Sequence, residues 1–482
     1  MTRVLDGLAE NKVFYYFEEL AQIPRPSYKE KAVSDYLVSF AREHGLEYYQ
    51  DSYYNVIMIK EASEGYEDVA PIILQGHMDM VCEKTHDCTK DMDKEGLDLY
   101  VDGDFIRARG TTLGGDDGIA VAYALAILDD DSLKHPRLEF ICTTAEEVGM
   151  DGAFGIDVSM LKGHKLLNID SEQEGVILAS CAGGCKAEIH MDVDRVQEEG
   201  ECLALKLTGL TGGHSGVEIH RGRANGSQLL AQLLLAASKE MDLRLVTMTG
   251  GSKNNAIPDR ASAQVLLPEG KRADFEALVR DKFAGARGEY AVTDPKLAMD
   301  ISDSRASLAP LTREDSRRVL ALILAEPNGV QRMSSDIEGL TETSLNLGIC
   351  DLNEEGLFMS YAVRSSVASA LEPLTDKMVL IADMLGARAD IGGSYPAWEY
   401  VRESALREDM AAVYREMFGR ELKTEAIHAG VECGILAGKI QGLDAVSMGP
   451  DIYDIHTPKE HLSIASSKRV YDYIVRLIAC RN

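Results

Sequence analysis

The chain lacks any apolar stretch long enough to cross a bilayer. Runs such as Ile119 to Leu128 meet charge after about half of the roughly 20 residues a spanning helix needs. Residues 1–20 lack the basic region, apolar run and small-residue cleavage site of a secretory leader, and read instead as an amphipathic helix. Cysteine is sparse: nine, an odd number scattered over 482 residues, do not make the dense framework of a disulfide scaffold. Neither Cys181 with Cys185 nor Cys82 with Cys88 has the spacing of a zinc ribbon or finger, and no second pair completes four ligands. Positive charge is short as well. Against 79 acidic residues stand 50 basic ones, a net −29 that repels phosphate backbones and anionic membranes. These absences predict a cytoplasmic protein with no nucleic-acid partner and no membrane partner.

What is present is an ordinary globular balance, 45% hydrophobic and 27% charged, in a chain too long for one core. The first third alternates helix and strand signals, as an α/β domain does. Ser27-Tyr-Lys-Glu30 has the form of a capping box ahead of an apolar pattern, Val33, Tyr36, Leu37 and Phe40, that stops at Gly45. Asn55 to Lys60, Pro71 to Leu74, Leu138 to Thr143 and Leu166 to Ile169 read as strands, and Gly118 to Leu128 as a helix. From about Lys186 an α+β character takes over, with strands at Leu203 to Leu207 and Ala263 to Leu267 and helices at Asn225 to Met241 and Arg272 to Phe283. A similar mixture at Ser307 to Arg388 reads as a related second half. After Gly393 the α/β pattern returns. The expected division is therefore a first domain over 1–185, an inserted domain over 186–395, and the rest of the first domain over 396–482.

Several strands run into acidic or histidine residues, and the crevice beyond the carboxyl ends of such strands is where ligands collect. Pro71-Ile-Ile-Leu-Gln-Gly-His-Met-Asp79 puts His77 and Asp79 on the same side of an extended strand, one able to ligate a metal and the other to orient it. Asp116 and Asp117 sit at a glycine-rich turn opening a helix, Glu146 and Glu147 follow a buried strand, and Asp170 ends another. Singly, each has a plainer reading: a helix cap for Asp117, an exposed acidic loop for the glutamates and for Asp170. Together, carboxylates and a histidine at successive element ends are the inventory of a site for two divalent cations, with His456 in the tail as the second histidine. Nitrogen and oxygen donors without thiolate favour zinc, and leave manganese or cobalt open as substitutes.

The ordered set Gln75-Gly-His-Met-Asp79, Leu113-Gly-Gly-Asp-Asp-Gly118, Thr144-Ala-Glu-Glu-Val-Gly149, Asn168-Ile-Asp170, Gly212-Gly-His-Ser-Gly216, His428-Ala-Gly-Val-Glu-Cys-Gly434 and the His456 loop resembles the aminoacyl-histidine dipeptidases. These are co-catalytic zinc metallopeptidases related to peptidase T, peptidase V and carboxypeptidase G. The likeness runs from Ile23-Pro-Arg-Pro26 to the His456 loop, nearly the whole chain. It implies a zinc-exopeptidase-like α/β catalytic domain with an inserted α+β lid. It also implies hydrolysis of Xaa-His dipeptides, including β-alanyl-histidine, by a zinc-activated water.

By that resemblance His77 and Asp170 hold one zinc, Glu147 and His456 the other, and Asp116 bridges them. Asp79 orients His77, and Glu146 is the general base. His214 stabilises the oxyanion from the lid, Asn255 and Arg364 grip the substrate carboxylate, and Gly430 and Gly434 let the backbone approach the substrate. Whether two chains pair through their lids into a homodimer stays open. An N-acyl amino acid deacylase or tripeptidase of the same architecture is the nearest competing reading. A noncatalytic metal-dependent binding protein is the other, although the base Glu146 is present. A phosphate-loop reading of Thr211 to Gly216 fails for want of the lysine.

Overall fold

The computed structural model describes residues 3–481. The chain divides into two compact units. The first runs through Ser180 and resumes at Tyr400–Ala426 and from Val431 onward; the second comprises Cys181–Glu399 and Ile427–Gly430.

The first unit is built on an eight-stranded sheet in the order Glu47–Gln50, Val56–Lys60, Leu138–Thr143, Ile72–His77, Lys165–Asn168, Asp444–Ser447, Val176–Cys181 and Lys423–Ile427. Ile72–His77 pairs in parallel with both Leu138–Thr143 and Lys165–Asn168, and Asp444–Ser447 joins the latter in parallel. Every residue of Ile72–His77 and Leu138–Thr143 is buried, the mark of a sheet covered on both faces, which is why these strands read as continuous apolar runs. The helix Gly115–Asp129 is buried on nearly all sides and correspondingly apolar around its whole circumference. Gly76 lets it approach the sheet, since a Cβ there would lie 2.7 Å from that of Ala120. A small four-stranded sheet pairs His461–Ser463 with Phe105–Ala108 and with Ile452–Tyr453, and so fixes both ends of the loop carrying His456.

The second unit is a nine-stranded antiparallel sheet. Strands such as Glu201–Thr208 alternate buried and accessible residues because only one of their faces meets a core, whereas Thr341–Asn353 and Gly356–Ser365 are buried along most of their length. Helices Gly226–Glu240, Arg313–Ala325 and Ala368–Met384 contribute Leu230, Leu234, Leu320, Ile323 and Met378 to it. The two stretches expected as related halves lie side by side in this one sheet, joined where Thr341–Asn353 pairs with Arg244–Gly250, while Gly183–Met191 pairs with Gly356–Ser365 on the far side.

The pattern Ser27-Tyr-Lys-Glu30 does not cap the helix Lys31–Glu43, whose N-terminal residue makes no side-chain cap. The Ser27 hydroxyl donates instead to Asp79 Oδ2 at 2.7 Å, and Glu30 accepts from the N–H groups of Tyr28 and Ala145 at 2.9 and 3.0 Å. A charged acceptor outcompetes a neutral backbone cap for the hydroxyl, so a local helix signal serves a distant loop.

Candidate metal centre

Three parallel strands deliver their carboxyl ends to one edge of the first unit's sheet. Ile72–His77 ends on His77 itself, Leu138–Thr143 leads into the single turn Glu146–Gly149, and Lys165–Asn168 is followed by Asp170. The turn is bracketed by Ala145 at φ 54° and Met150 at φ 63°, and the tail loop holds Asp454 at φ 54° and His456 at φ 60°. Left-handed backbone at non-glycine residues is uncommon and costs energy that the surrounding structure must offset. Here it flanks or includes the residues that converge.

His77 Nε2 lies 3.1 Å from Asp116 Oδ1 and 3.5 Å from Asp170 Oδ1. His456 Nε2 lies 3.1 Å from Asp116 Oδ2 and 2.9 Å from Glu147 Oε2. Asp116 thus turns one oxygen to each histidine. Donor atoms of His77, Asp116 and Asp170 fall within 4.8 Å of one another, as do those of Asp116, Glu147 and His456. Asp79 is wholly buried behind them, with Oδ1 3.4 Å from His77 Nδ1, and it accepts the backbone N–H groups of Glu146 at 3.1 Å and Glu147 at 3.3 Å.

The plainer reading of Asp117, a helix cap, does not hold: its carboxylate accepts the His77 N–H at 3.1 Å. It is drawn inward by the close packing of the helix on the strand, while Glu460 accepts the N–H groups of Leu113, Gly114 and Gly115 in the turn ahead of it.

In the second unit His214 lies on the short strand Gly213–His214, opposite Ala256, and Asn255 accepts the N–H of Ser215 at 2.9 Å through its carbonyl. The His214 Nδ1 accepts from the N–H groups of Gly216 and Val217 at 3.2 and 3.3 Å. Arg364, on Gly356–Ser365, donates to the Tyr395 hydroxyl at 2.8 Å. Gly430 closes the Ile427–Gly430 segment of this unit, whereas Gly434 is buried inside the first unit's helix Glu432–Lys439.

Residues 73–479 match the model of peptidase family M20/M25/M40. The chain belongs to that family. It is 35% identical, over 98% of its own length and 98% of the relative's, to the cytosol non-specific dipeptidase of Escherichia coli. Its fold superposes with a TM-score of 0.91 on the aminoacylhistidine dipeptidase of Vibrio alginolyticus, at 34% identity and 99% coverage of both chains. Aminopeptidase PepT of Bacillus cereus, at 15% identity, a TM-score of 0.54 and 97% coverage of both chains, shares the fold. The protein is accordingly a metallopeptidase with a mixed α/β architecture.

The electrostatics of this M20-family site test whether cations fit it. Burial disfavours a charged His77, yet Asp116, Asp170 and Asp79 outweigh it and drive its pKa well up. Asp116 and Glu147 raise His456 to about 10. Burial works against a charged Asp116, but the two histidines hold its pKa below the usual carboxylate range. Desolvation and the neighbouring Asp170 push Glu146 well up, while Asp170 is raised to about 6 by its own burial. Like charges gathered out of water call for positive charge between them, and two imidazoles with three carboxylates, without thiolate, suit a pair of divalent cations.

Sequence reasoning passed over several groups in this peptidase. Glu432, fully buried, accepts from Gln75 Nε2 at 2.5 Å and Thr143 Oγ1 at 2.7 Å beneath the sheet edge, and desolvation lifts it to about 7. His428 was quoted only within a motif; its Nε2 lies 2.7 Å from Ser344 Oγ, and burial followed by the charge of Arg364 lowers it to about 3. A carboxylate at the first position of an apolar helix was the signal for Glu432. Nothing local marks Ser344.

Proposed function

We propose that this peptidase hydrolyses dipeptides, Xaa-His substrates such as β-alanyl-histidine among them, with two zinc ions held by His77, Asp116, Glu147, Asp170 and His456. The observation that carries the reading is the two-sided Asp116 carboxylate, one oxygen toward His77 and the other toward His456, with Asp170 and Glu147 completing the two groups. When bound, such a pair of cations supplies Lewis acidity and brings the pKa of water toward neutrality. The names of the relatives from E. coli and V. alginolyticus support the substrate class, and the former supports a cytoplasmic setting.

Glu146 acts as general base, taking the proton of the attacking water and passing it to the departing amine. Its upward shift suits it to that work near neutral pH, where base and water are closest in proton affinity. Asp79 holds both His77 and the backbone of the turn that carries Glu146. The second unit is the lid, with His214 stabilising the oxyanion, Asn255 and Arg364 receiving the substrate carboxylate, and Gly430 and Gly434 admitting its backbone. His214 stays neutral through burial and the nearby Arg364, so it donates a hydrogen bond without releasing a proton.

Pairing of two chains through the lid belongs to the same reading. The strand Arg388–Tyr395 is an edge of its sheet, and Leu380 and Met384 stand exposed on the adjacent helix. Light scattering tests it by mass.

The deciding experiment strips the protein of metal, restores zinc and runs a panel of dipeptides, tripeptides and N-acyl amino acids. Xaa-His dipeptides should lead. A preference for acyl amino acids or tripeptides would place the protein elsewhere in the family. Glu146→Gln should bind zinc as wild type does while turnover falls by roughly 10²- to 10⁴-fold; a variant near the wild-type rate would refute the assignment of the base.

A further inference from the structure

Two motifs are left over by the metal centre: the arginine of Ile23-Pro-Arg-Pro26 and the glycines of Leu113-Gly-Gly-Asp-Asp-Gly118. They meet at Arg25 and Glu460, side chains only 2% and 3% exposed in the first unit. Glu460 Oε2 accepts the N–H groups of Leu113 at 2.7 Å and Gly114 at 3.0 Å, and Oε1 those of Gly115 at 2.7 Å and Asp116 at 3.3 Å. One carboxylate thereby gathers four consecutive backbone donors in the turn that leads into the helix, where Asp116 and Asp117 themselves depart from helical backbone. Arg25 donates through Nη1 to the carbonyls of Met78 and Asp79, both at 3.1 Å, and through Nη2 to that of Gly114 at 2.6 Å. A single guanidinium therefore ties the strand end that presents His77 to the loop that presents Asp116.

The glycines are explained by the same pair. A Cβ on Gly114 or Gly118 would lie 2.5 Å from Arg25 Nη2, and one on Gly115 would lie 3.2 Å from Glu460 Oε1. Gly114 also has φ +65°, a conformation that favours glycine. Burying an isolated charge is costly. Here four N–H groups, three carbonyls and the opposite charges of the two side chains offset that cost.

We propose that Glu460 and Arg25 are positioning residues that set the orientation of the Asp116 carboxylate between His77 and His456. The proposal rests on the dinuclear reading given above. A carboxylate that must face two partners at once tolerates little rotation of its backbone, and the backbone from Leu113 to Asp116 is held by Glu460 on one side and Arg25 on the other. Groups behind the ligands typically change metal affinity by 10- to 100-fold when altered.

The test is cobalt titration of metal-free wild type, Glu460→Gln and Gly115→Ala, followed by calorimetry and by the visible absorption of the bound cobalt. Glu460→Gln turns one acceptor oxygen into an amide facing two N–H groups. It should bind cobalt on the order of 10- to 100-fold more weakly, with a changed visible spectrum and a lower kcat at nearly unchanged KM. Gly115→Ala pushes on Glu460 without altering any charge. It should shift the spectrum and affinity in the same direction by a smaller amount, and it decides the matter if Glu460→Gln does not fold. Wild-type affinity, spectrum and kcat in both folded variants would overturn the positioning role. Wild type that binds no cobalt, or one ion only, would overturn the dinuclear reading itself, a separate result.

Discussion

Asp79 is the residue whose alteration most directly tests the wiring of the metal centre. Its Oδ1 faces His77 Nδ1 and the Glu146 N–H, and its Oδ2 accepts from Ser27 and the Glu147 N–H. Asp79→Asn keeps the shape but turns one of those oxygens into a donor, so two of the four interactions become repulsive or vanish. Hydrogen bonds to a charged group contribute about 1.5–3 kcal/mol each, and the local structure will relax around part of that loss. The expected outcome is a zinc affinity lower by roughly 10- to 100-fold, or about 1.4–2.7 kcal/mol, as found generally for carboxylates behind a ligating histidine. Because the Glu146 turn hangs from the same carboxylate, kcat should fall further at saturating zinc. Calorimetric titration of the metal-free variant and steady-state kinetics in excess zinc measure the two effects separately. Zinc affinity within twofold of wild type together with an unchanged kcat would show that Asp79 neither orients His77 nor holds the Glu146 turn.

Three further outcomes are expected. Removing metal should lower the melting temperature and zinc should restore it, since a site-bound ion at 100 times its Kd stabilises by about 2.7 kcal/mol; Asp116→Asn should abolish most of the response. Glu326 is 1% exposed with no hydrogen-bond partner for either carboxylate oxygen among the described residues, and burial lifts its pKa from 4.5 to about 8. A raised carboxyl contributes stability that is complete below pH 4.5 and is lost as pH rises through 8. Glu326→Gln should therefore match wild type near pH 4.5 and exceed it by roughly 3–5 kcal/mol above pH 8, and urea unfolding that shows a pH-independent difference would contradict this. Asn225 caps the helix Gly226–Glu240 by accepting from the Ser227 and Gln228 N–H groups, and it also donates to the Leu347 carbonyl at 2.9 Å. Asn225→Ala should lower unfolding stability by about 2–4 kcal/mol, a cap plus a stranded buried carbonyl.

Much of the local structure was legible because its signals are local. Leu138 to Thr143 reads as the strand it forms, and Asn225 to Met241 as the helix found at Gly226–Glu240. The helix Arg272–Glu289 runs past the expected Phe283 through two glycines, because Ala286 and Tyr290 pack against the same core as Phe275 and Val279, tertiary packing that periodicity does not encode. The Ser27 to Glu30 pattern misled for the same reason: both side chains bind partners over 50 residues away. Arg25 and Glu432 carry no role of their own within the motifs that contain them, and Glu460 stands in none, since a lone charged residue looks solvated until its distant partners are known.

By itself the sequence determined which ligand-capable side chains stand at the ends of buried strands. Strand alternation, apolar runs and glycine turns are properties of a few consecutive residues. Only the tertiary structure decided that Asp116 turns one oxygen to His77 and the other to His456. That orientation depends on a contact between residues 340 positions apart and on backbone N–H groups that donate to a glutamate 344 positions down the chain, and no local pattern carries such information.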